Sequence, residues 1–304
     1  MITRDAGEFL SVAQGCAPDF GPATARAAFL VAPDGFTHAA ESAGDNHYMA
    51  AAGDFHGERA LAQHRGLQRA MSAVLPTLCF PGDPETPDGL FPNNAFASVP
   101  GRLVVGRMRH PVRRREAGRA DIRGYCTGVL GCEIHDLSAQ PHPCELTGSL
   151  VIDRARGLGF AGLSGRCDEQ GARLMHEAFG LRATLMCELA DGEYHTNVVL
   201  AVLAGRAAMV CADGFADPAP LLSALEALYR PHVVRLSPAE RQAFAGNAIA
   251  LGHDTVWMSA AAAAALSAAS RQVLDAAGFE VRAVELDAIE VAGGSLRCCV
   301  AEIY

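Results

Sequence analysis

The chain has 304 residues, of which 25 are basic and 34 acidic, for a formal charge of −9, and half of them are apolar. That apolar supply suffices for a sizeable core, in one large domain or two ordinary ones. The acidic balance argues against a phosphate-tracking surface, so nucleic acid is not an expected partner and small molecules are.

The opening stretch MITRDAGEFLSVAQGC carries Asp5 and Glu8 where a secretion signal needs an unbroken apolar run, so no export is expected. RAAFLVAP, the helical GERALAQHRGLQRAMSAV, TLCF and the hairpin NAFASVPGRLVVGRM occupy the first half. A clearer order follows. GSLVIDRARGLGFAGLS reads as a hairpin turning at Arg156-Gly157, DEQGARLMHEAFGL as a helix and RATLMCEL as a strand. NVVLAVLAGRAAMVC, PAPLLSALEALYRP and HVVRLS repeat it, as do NAIALGHDTVWMS, an alanine-rich helix through Ala277, and FEVRAVEL. The alanine and serine run WMSAAAAAALSAASRQVL breaks at Arg271, short of a membrane span, and reads as a soluble helix. Ten cysteines are scattered with no CxxC pair and no even ladder of spacings. They read as buried thiols in a reducing cytoplasm rather than as disulfides or a structural zinc site.

Hairpins beginning near Leu150, Val198 and Ala248 recur about every 50 residues, a period of propeller-like or solenoid arrays rather than of a doubly wound sheet. About five units of roughly 60 residues fill the chain, read as a single α/β domain over residues 1–304.

The closing stretch GGSLRCCVAEIY sets two glycines and a serine ahead of Cys298 and Cys299. On a strand those thiols point to opposite faces, so one of them can face a cleft. A buried structural thiol is the ordinary use of cysteine, and a nucleophile needs a base, a carboxylate and a substrate clamp. Of eleven histidines, His195 in EYHTNVVL stands at the mouth of an apolar strand, with Asn197 two residues on along the same face. Glu145 in CELTGSLVID precedes a small-residue turn and a strand. DGLFPNNAFAS groups Asp88, Asn93 and Asn94 around a Phe-Pro pair, where turn-making is the plain alternative.

Together these pieces resemble the pentein superfamily, the guanidine-modifying enzymes that include arginine deiminases, dimethylarginine dimethylaminohydrolases, amidinotransferases and citrulline utilization hydrolases. The resemblance runs from about Asp88 to Tyr304. GGSLRCC resembles the family's glycine-rich turn, which makes Cys298 the nucleophile; YHTNV resembles its histidine strand, which makes His195 the catalytic histidine. ELTGSLV places Glu145 at the catalytic acid, and DGLFPNN resembles the substrate loop with Asp88 and Asn94. HPVRRRE resembles the segment whose arginines take a substrate carboxylate, with Arg113 and Arg114 as candidates, a solvated basic face being the other reading of this run. Asn247 falls where the family carries a cleft-lining polar residue. The implied fold is an α/β propeller of five ββαβ-type units around a pseudo-fivefold axis.

Departures carry information too. Leu146 replaces the glycine that usually follows the acid, and Asn94 and Asn197 replace the aspartates of arginine deiminases. A guanidinium offers only donors and is answered best by carboxylates, whereas a ureido group presents a carbonyl and an amide that a side-chain amide can meet. The resemblance therefore implies a hydrolase of citrulline- or arginine-like amino acids, closest to citrulline utilization hydrolases, acting through a covalent Cys298 intermediate. It releases ammonia, favours an ornithine-type product and needs no metal or organic cofactor. An arginine deiminase or N-substituted-arginine hydrolase giving citrulline, an amidinotransferase and a non-catalytic amino-acid-binding relative are the alternatives. A zinc hydrolase using His47, His56 and His64 near Asp45 and Asp54 lacks a recognised ligand spacing. The oligomeric state stays open, a homodimer being one option.

Overall fold

The computed structural model describes residues 1–49 and 55–304; Asp54 lies outside the described residues. Its strands run in chain order as β1 (Ile2–Thr3), β2 (Ala27–Val31), β3 (Thr77–Phe80), β4 (Phe96–Val99), β5 (Arg102–Val105), β6 (Glu133–Asp136), β7 (Leu150–Asp153) and β8 (Leu158–Leu163). They continue as β9 (Ala183–Glu188), β10 (Leu200–Leu203), β11 (Ala207–Val210), β12 (Val233–Arg235), β13 (Ile249–Ala250), β14 (Thr255–Ser259), β15 (Glu280–Val284) and β16 (Ala301–Ile303).

Among the described residues these form five sheets. Each sheet has the same plan: a first strand pairs antiparallel with a second, and the second pairs parallel with a third across a helix. The units are β4-β5-β6, β7-β8-β9 with β1 added at its edge, β10-β11-β12, β13-β14-β15 and β16-β2-β3. The last is assembled from distant parts of the chain, with Ala301 opposite Phe29. Parallel neighbours need a long crossover, which the helices Gly57–Ser72, Ala120–Gly128, Glu169–Ala178, Ala219–Tyr229 and Ala268–Ala276 provide.

Local chemistry explains the repeat. The β7–β8 hairpin turns through Gly157 at φ 69°, where an added Cβ would lie 2.6 Å from the Phe20 ring, so only glycine fits. Helix Glu169–Ala178 is capped by Asp168, whose side chain accepts the Gly171 N–H at 2.7 Å, and it buries Ala172, Met175 and Ala178 at helical spacing. Second strands such as β8 and β11 are buried throughout, flanked by strands on both edges and packed by helices Glu169–Ala178 and Ala219–Tyr229 respectively.

One feature corrects the strand reading of the chemistry-bearing segments. Each of these residues sits in or beside a short helical turn immediately ahead of the first strand of its unit: Pro92–Asn94 before β4, Leu146–Ser149 before β7, Thr196–Val199 before β10 and Leu296–Cys299 before β16. Cys298 and Cys299 are therefore on a helical turn, as is Asn197, and His195 precedes one. The turn ends the strand's alternation, so neighbours or next-neighbours no longer divide between two faces of a sheet. Among the described residues no helix is long and apolar enough to cross a membrane.

Candidate active site

The turns Pro92–Asn94 and Leu296–Cys299 bring Asn94 and Cys298 to a small cavity whose lining also includes Asp88, Arg113, Arg166 and Tyr194, while His195 and Asn197 stand beside it, joined to Glu145 and Cys298. Glu145 lies beneath it, fully buried. Its Oε1 accepts the Arg109 N–H at 3.0 Å, while its Oε2 is 2.8 Å from His195 Nε2, 3.2 Å from Arg166 Nη1 and 3.7 Å from Arg113 Nη1. Burial alone would push this carboxyl up, but Arg166, the His195 hydrogen bond and Arg113 together hold it well below the usual carboxylate range. An ionised carboxylate only accepts, so Nε2 of His195 carries the proton and Nδ1 presents a lone pair. Among the described residues Nδ1 has no partner. Burial lowers the imidazole pKa against the pull of Glu145, so the ring is uncharged at neutral pH.

Cys298 Sγ accepts from Asn247 Nδ2 at 3.2 Å and lies 3.7 Å from Asn197 Oδ1. Burial pushes its thiol up, against the Asn247 hydrogen bond, so the resting pair is a neutral thiol and a neutral imidazole. Among the described residues four polar atoms at the site are buried without partners: Asp88 Oδ1, Asn94 Oδ1, Asn197 Nδ2 and His195 Nδ1. Unsatisfied buried groups are costly and need a partner that arrives later. Together they offer acceptors and one donor to a planar head group, which is the complement of a guanidino or ureido plane.

The two arginines expected to hold a substrate carboxylate are placed differently. Arg114 is exposed and spends its guanidinium on the Met108 and Arg109 carbonyls at 3.1 and 2.8 Å, outside the cavity lining. Arg113 does line the cavity, but its Nε and Nη2 grip Glu116 at 2.8 Å each, which leaves Nη1 toward Glu145. Asn93 turns from the head-group position; its Nδ2 donates to Thr147 Oγ1 at 3.3 Å and its carbonyl accepts that hydroxyl at 3.1 Å, tying two units together. Leu146 stands at φ 24°, within the left-handed region that glycine favours, at a cost of about 1 kcal/mol. Its side chain is buried in an apolar cluster with Cys144 and Leu150, which anchors the turn, and Glu145 still reaches His195.

Arg166 and Tyr194 were not singled out from the sequence, and Asp45 was named only beside the histidines of the zinc reading. Arg166 is buried; its Nε reaches both Asp45 oxygens at 3.1 and 3.0 Å, and its Nη2 donates to the Ser42 carbonyl at 3.2 Å. Tyr194 donates its hydroxyl to the Gly293 carbonyl, and its ring centroid is 4.5 Å from that of His195. Gly148 was likewise read only as part of a small-residue turn. His47 bonds the Gly192 carbonyl, His56 stands ahead of helix Gly57–Ser72, and His64 is buried within that helix. Among the described residues no group of three or more His, Cys, Asp or Glu is placed to hold a metal ion.

A buried thiol, an imidazole paired with an ionised carboxylate and a set of polar atoms unpaired among the described residues thus lie together, the groups that nucleophilic chemistry at a planar carbon calls for. Known structures share the fold. The substrate-bound N-terminal domain of ArgZ, an arginine dihydrolase from the ornithine-ammonia cycle in Cyanobacteria, superposes with a TM-score of 0.79 at 20% identity, over 91% of this chain and 97% of that one. A dimethylarginine dimethylaminohydrolase adduct with S-methyl-L-thiocitrulline gives 0.70 at 18% identity, over 92% and 100%. The N(G),N(G)-dimethylarginine dimethylaminohydrolase of Mycobacterium tuberculosis (strain ATCC 25618 / H37Rv) is 29% identical over 219 residues, 72% of this chain and 67% of that protein. The family described as N,N dimethylarginine dimethylhydrolase, eukaryotic, matches residues 32–304, and the chain belongs to it, within the pentein superfamily of arginine-modifying enzymes.

Proposed function

We propose that this protein hydrolyses C–N bonds in the guanidino or ureido group of an arginine- or citrulline-like amino acid and carries the substrate through to ornithine. The amide pair Asn94 and Asn197 carries this proposal. Asn94 lines the cavity with Cys298 and Asn197 Oδ1 lies 3.7 Å from the sulfur, where a purely guanidinium-binding cleft would use carboxylates; among the described residues lining that cavity Asp88 is the carboxylate with an unpaired oxygen. An amide accepts from the NH₂ of either head group and donates to the ureido oxygen, so one site can serve two successive substrates.

In the proposed sequence the substrate's central carbon is held beside Cys298 Sγ. The neutral Cys298 thiol gives up its proton, which reaches the His195 Nδ1 lone pair by way of the bound head group; the thiolate attacks, the C–S bond forms, and as the C–N bond breaks ammonia leaves with that proton from Nδ1. The same Nδ1 then takes a proton from water, whose oxygen adds to the carbon as the C–S bond breaks. On arginine this yields citrulline. On citrulline a second attack expels ammonia, and water releases a carbamate that falls to ornithine and carbon dioxide. Glu145 keeps His195 in the required tautomer and balances its charge while protonated. Holding the planar carbon at the sulfur contributes roughly 7 kcal/mol or more in well-aligned cases.

A second reading is favoured by the family match: hydrolysis of an N-methylated arginine to citrulline and a methylamine. Incubation with arginine, citrulline and N,N-dimethylarginine, with ammonia, citrulline and ornithine quantified, separates the two. Ornithine from citrulline supports the first. Citrulline that accumulates and is not consumed overturns it, and binding without turnover would identify a non-catalytic relative.

We also read residues 1–304 as one catalytic domain in which the five sheets close into a propeller. A narrow cavity lined jointly by Leu150, Leu200, Ile249 and Glu302, from β7, β10, β13 and β16, supports a common axis.

A further inference from the structure

Four of the five units bring a side chain to the site from the turn ahead of their first strand: Asn94, Glu145, the pair His195 and Asn197, and Cys298. The unit of β13 and β14 brings Asn247, which is fully buried. Its Nδ2 donates to Cys298 Sγ at 3.2 Å and to the Asn197 carbonyl at 2.9 Å, while its Oδ1 faces the Cys298 N–H at 3.4 Å. Only one orientation of the amide satisfies this network. Turned over, Oδ1 would oppose the Asn197 carbonyl, acceptor against acceptor, and Nδ2 would oppose a backbone N–H.

The two partners of the sulfur play opposite parts. Asn197 Oδ1, at 3.7 Å, can accept from the S–H and so favours the thiol; Asn247 donates and so favours the thiolate. No Arg or His lies within hydrogen-bond distance of the sulfur among the described residues, and His195 is turned to Glu145. The thiolate that must attack is therefore met by the Asn247 amide, with a Ser295 backbone hydrogen bond and the more distant charge of Arg297 as lesser supports.

We propose that Asn247 is the positioning residue of the nucleophile, its side-chain amide holding the ionised sulfur of Cys298 in place and fixing the Asn197 backbone beside it. This deepens the function proposed above and rests on it only for the activity readout. The ionisation of the sulfur is measurable without any substrate.

The test is the pH dependence of iodoacetamide alkylation at Cys298, followed by peptide mass spectrometry in a Cys299→Ala background. Asn247→Ala and Asn247→Asp should move the midpoint to higher pH and slow alkylation at neutral pH about tenfold, the loss of one charge-assisted hydrogen bond. In turnover the same variants should lower kcat by a similar factor with little change in KM. An unmoved midpoint in folded variants overturns the assignment and makes Asn247 a framework residue. Should both variants fail to fold, the wild type decides. Its Asn247 side-chain amide resonances should titrate with Cys298 and stop doing so in Cys298→Ser; a silent amide overturns the proposal. A moved midpoint in a protein inert toward every guanidino and ureido compound would keep this role and sink the substrate reading instead.

Discussion

Asn94 and His195 face each other across the α-carbon of Gly148 with no room for a methyl group between them. A Cβ there would lie 2.4 Å from Asn94 Oδ1 and 2.9 Å from His195 Nδ1. The glycine is what lets a head-group ligand and a proton carrier, from different units, share one pocket. Gly148→Ala should lower kcat by about 100-fold, the scale of a displacement near 1 Å. Steady-state kinetics with a thermal melt checks this, and a variant that folds normally and keeps full activity would refute the packing account.

Glu145→Gln should destabilise the fold as well as the chemistry. It leaves Arg166, 3.2 Å away, and Arg113 without their shared counter-charge in a buried setting. Breaking a buried pair from one side costs about 3–5 kcal/mol. The pH dependence has a definite sign. Because the folded carboxyl lies below its ordinary value, its contribution is full above the unfolded pKa and fades as pH falls toward the folded one. Urea melts should therefore show the wild-type advantage over Glu145→Gln shrinking only in acid.

His64 supplies a second, separable acid sensitivity. Burial lowers its imidazole from 6.5 to about 4, so its neutral form is the one that fits the fold. Stability from this source is complete above the unfolded value and declines as pH falls to the folded one, by up to about 3 kcal/mol over that window. His195 is shifted the same way and adds to the effect. His64→Gln should flatten part of the slope of stability against pH in that window without altering the midpoint of Cys298 alkylation.

Arg113 and Arg114 are adjacent and should behave oppositely. Arg114→Ala removes an exposed side chain bonded to two carbonyls and should change stability by less than about 0.5 kcal/mol and kcat/KM hardly at all. Arg113→Ala strands Glu116 and should cost about 3–5 kcal/mol. Equal effects in paired denaturant melts would contradict these placements.

Cys298 and Cys299 should likewise part. Cys299 is fully buried, and burial raises its thiol well above the ordinary value. Cys299→Ala should keep activity at a stability cost of about 1 kcal/mol, whereas Cys298→Ser should abolish turnover. Assay of the two purified variants side by side decides it.

Much of the architecture is legible in the sequence because it is local. The hairpins expected near Leu150, Val198 and Ala248 are the β7–β8, β10–β11 and β13–β14 pairs, since alternation and turn glycines act over a few residues. The pairing of β16 with β2 joins Ala301 to Phe29 and leaves no local trace. Among candidate site residues, Cys298, His195, Glu145, Asp88, Asn94 and Asn197 could be named because the short segments that carry them resemble those of a known family. Arg166 could not, as nothing in SGRCDEQ distinguishes it until Asp45 and Glu145 arrive from other units. The strand reading of HTN and RCC failed because apolar residues in a buried four-residue turn look like the strand that follows.

The pairing of β16 with β2 also sets a calendar for the chain. During synthesis β2 leaves the ribosome early and waits, its edge unclaimed, while four units are completed. Cys298 is translated only a few residues before the strand that claims that edge, so the thiol and the framework that restrains it emerge together. A half-made polypeptide thus lacks both Cys298 and the strand that closes the β2 edge.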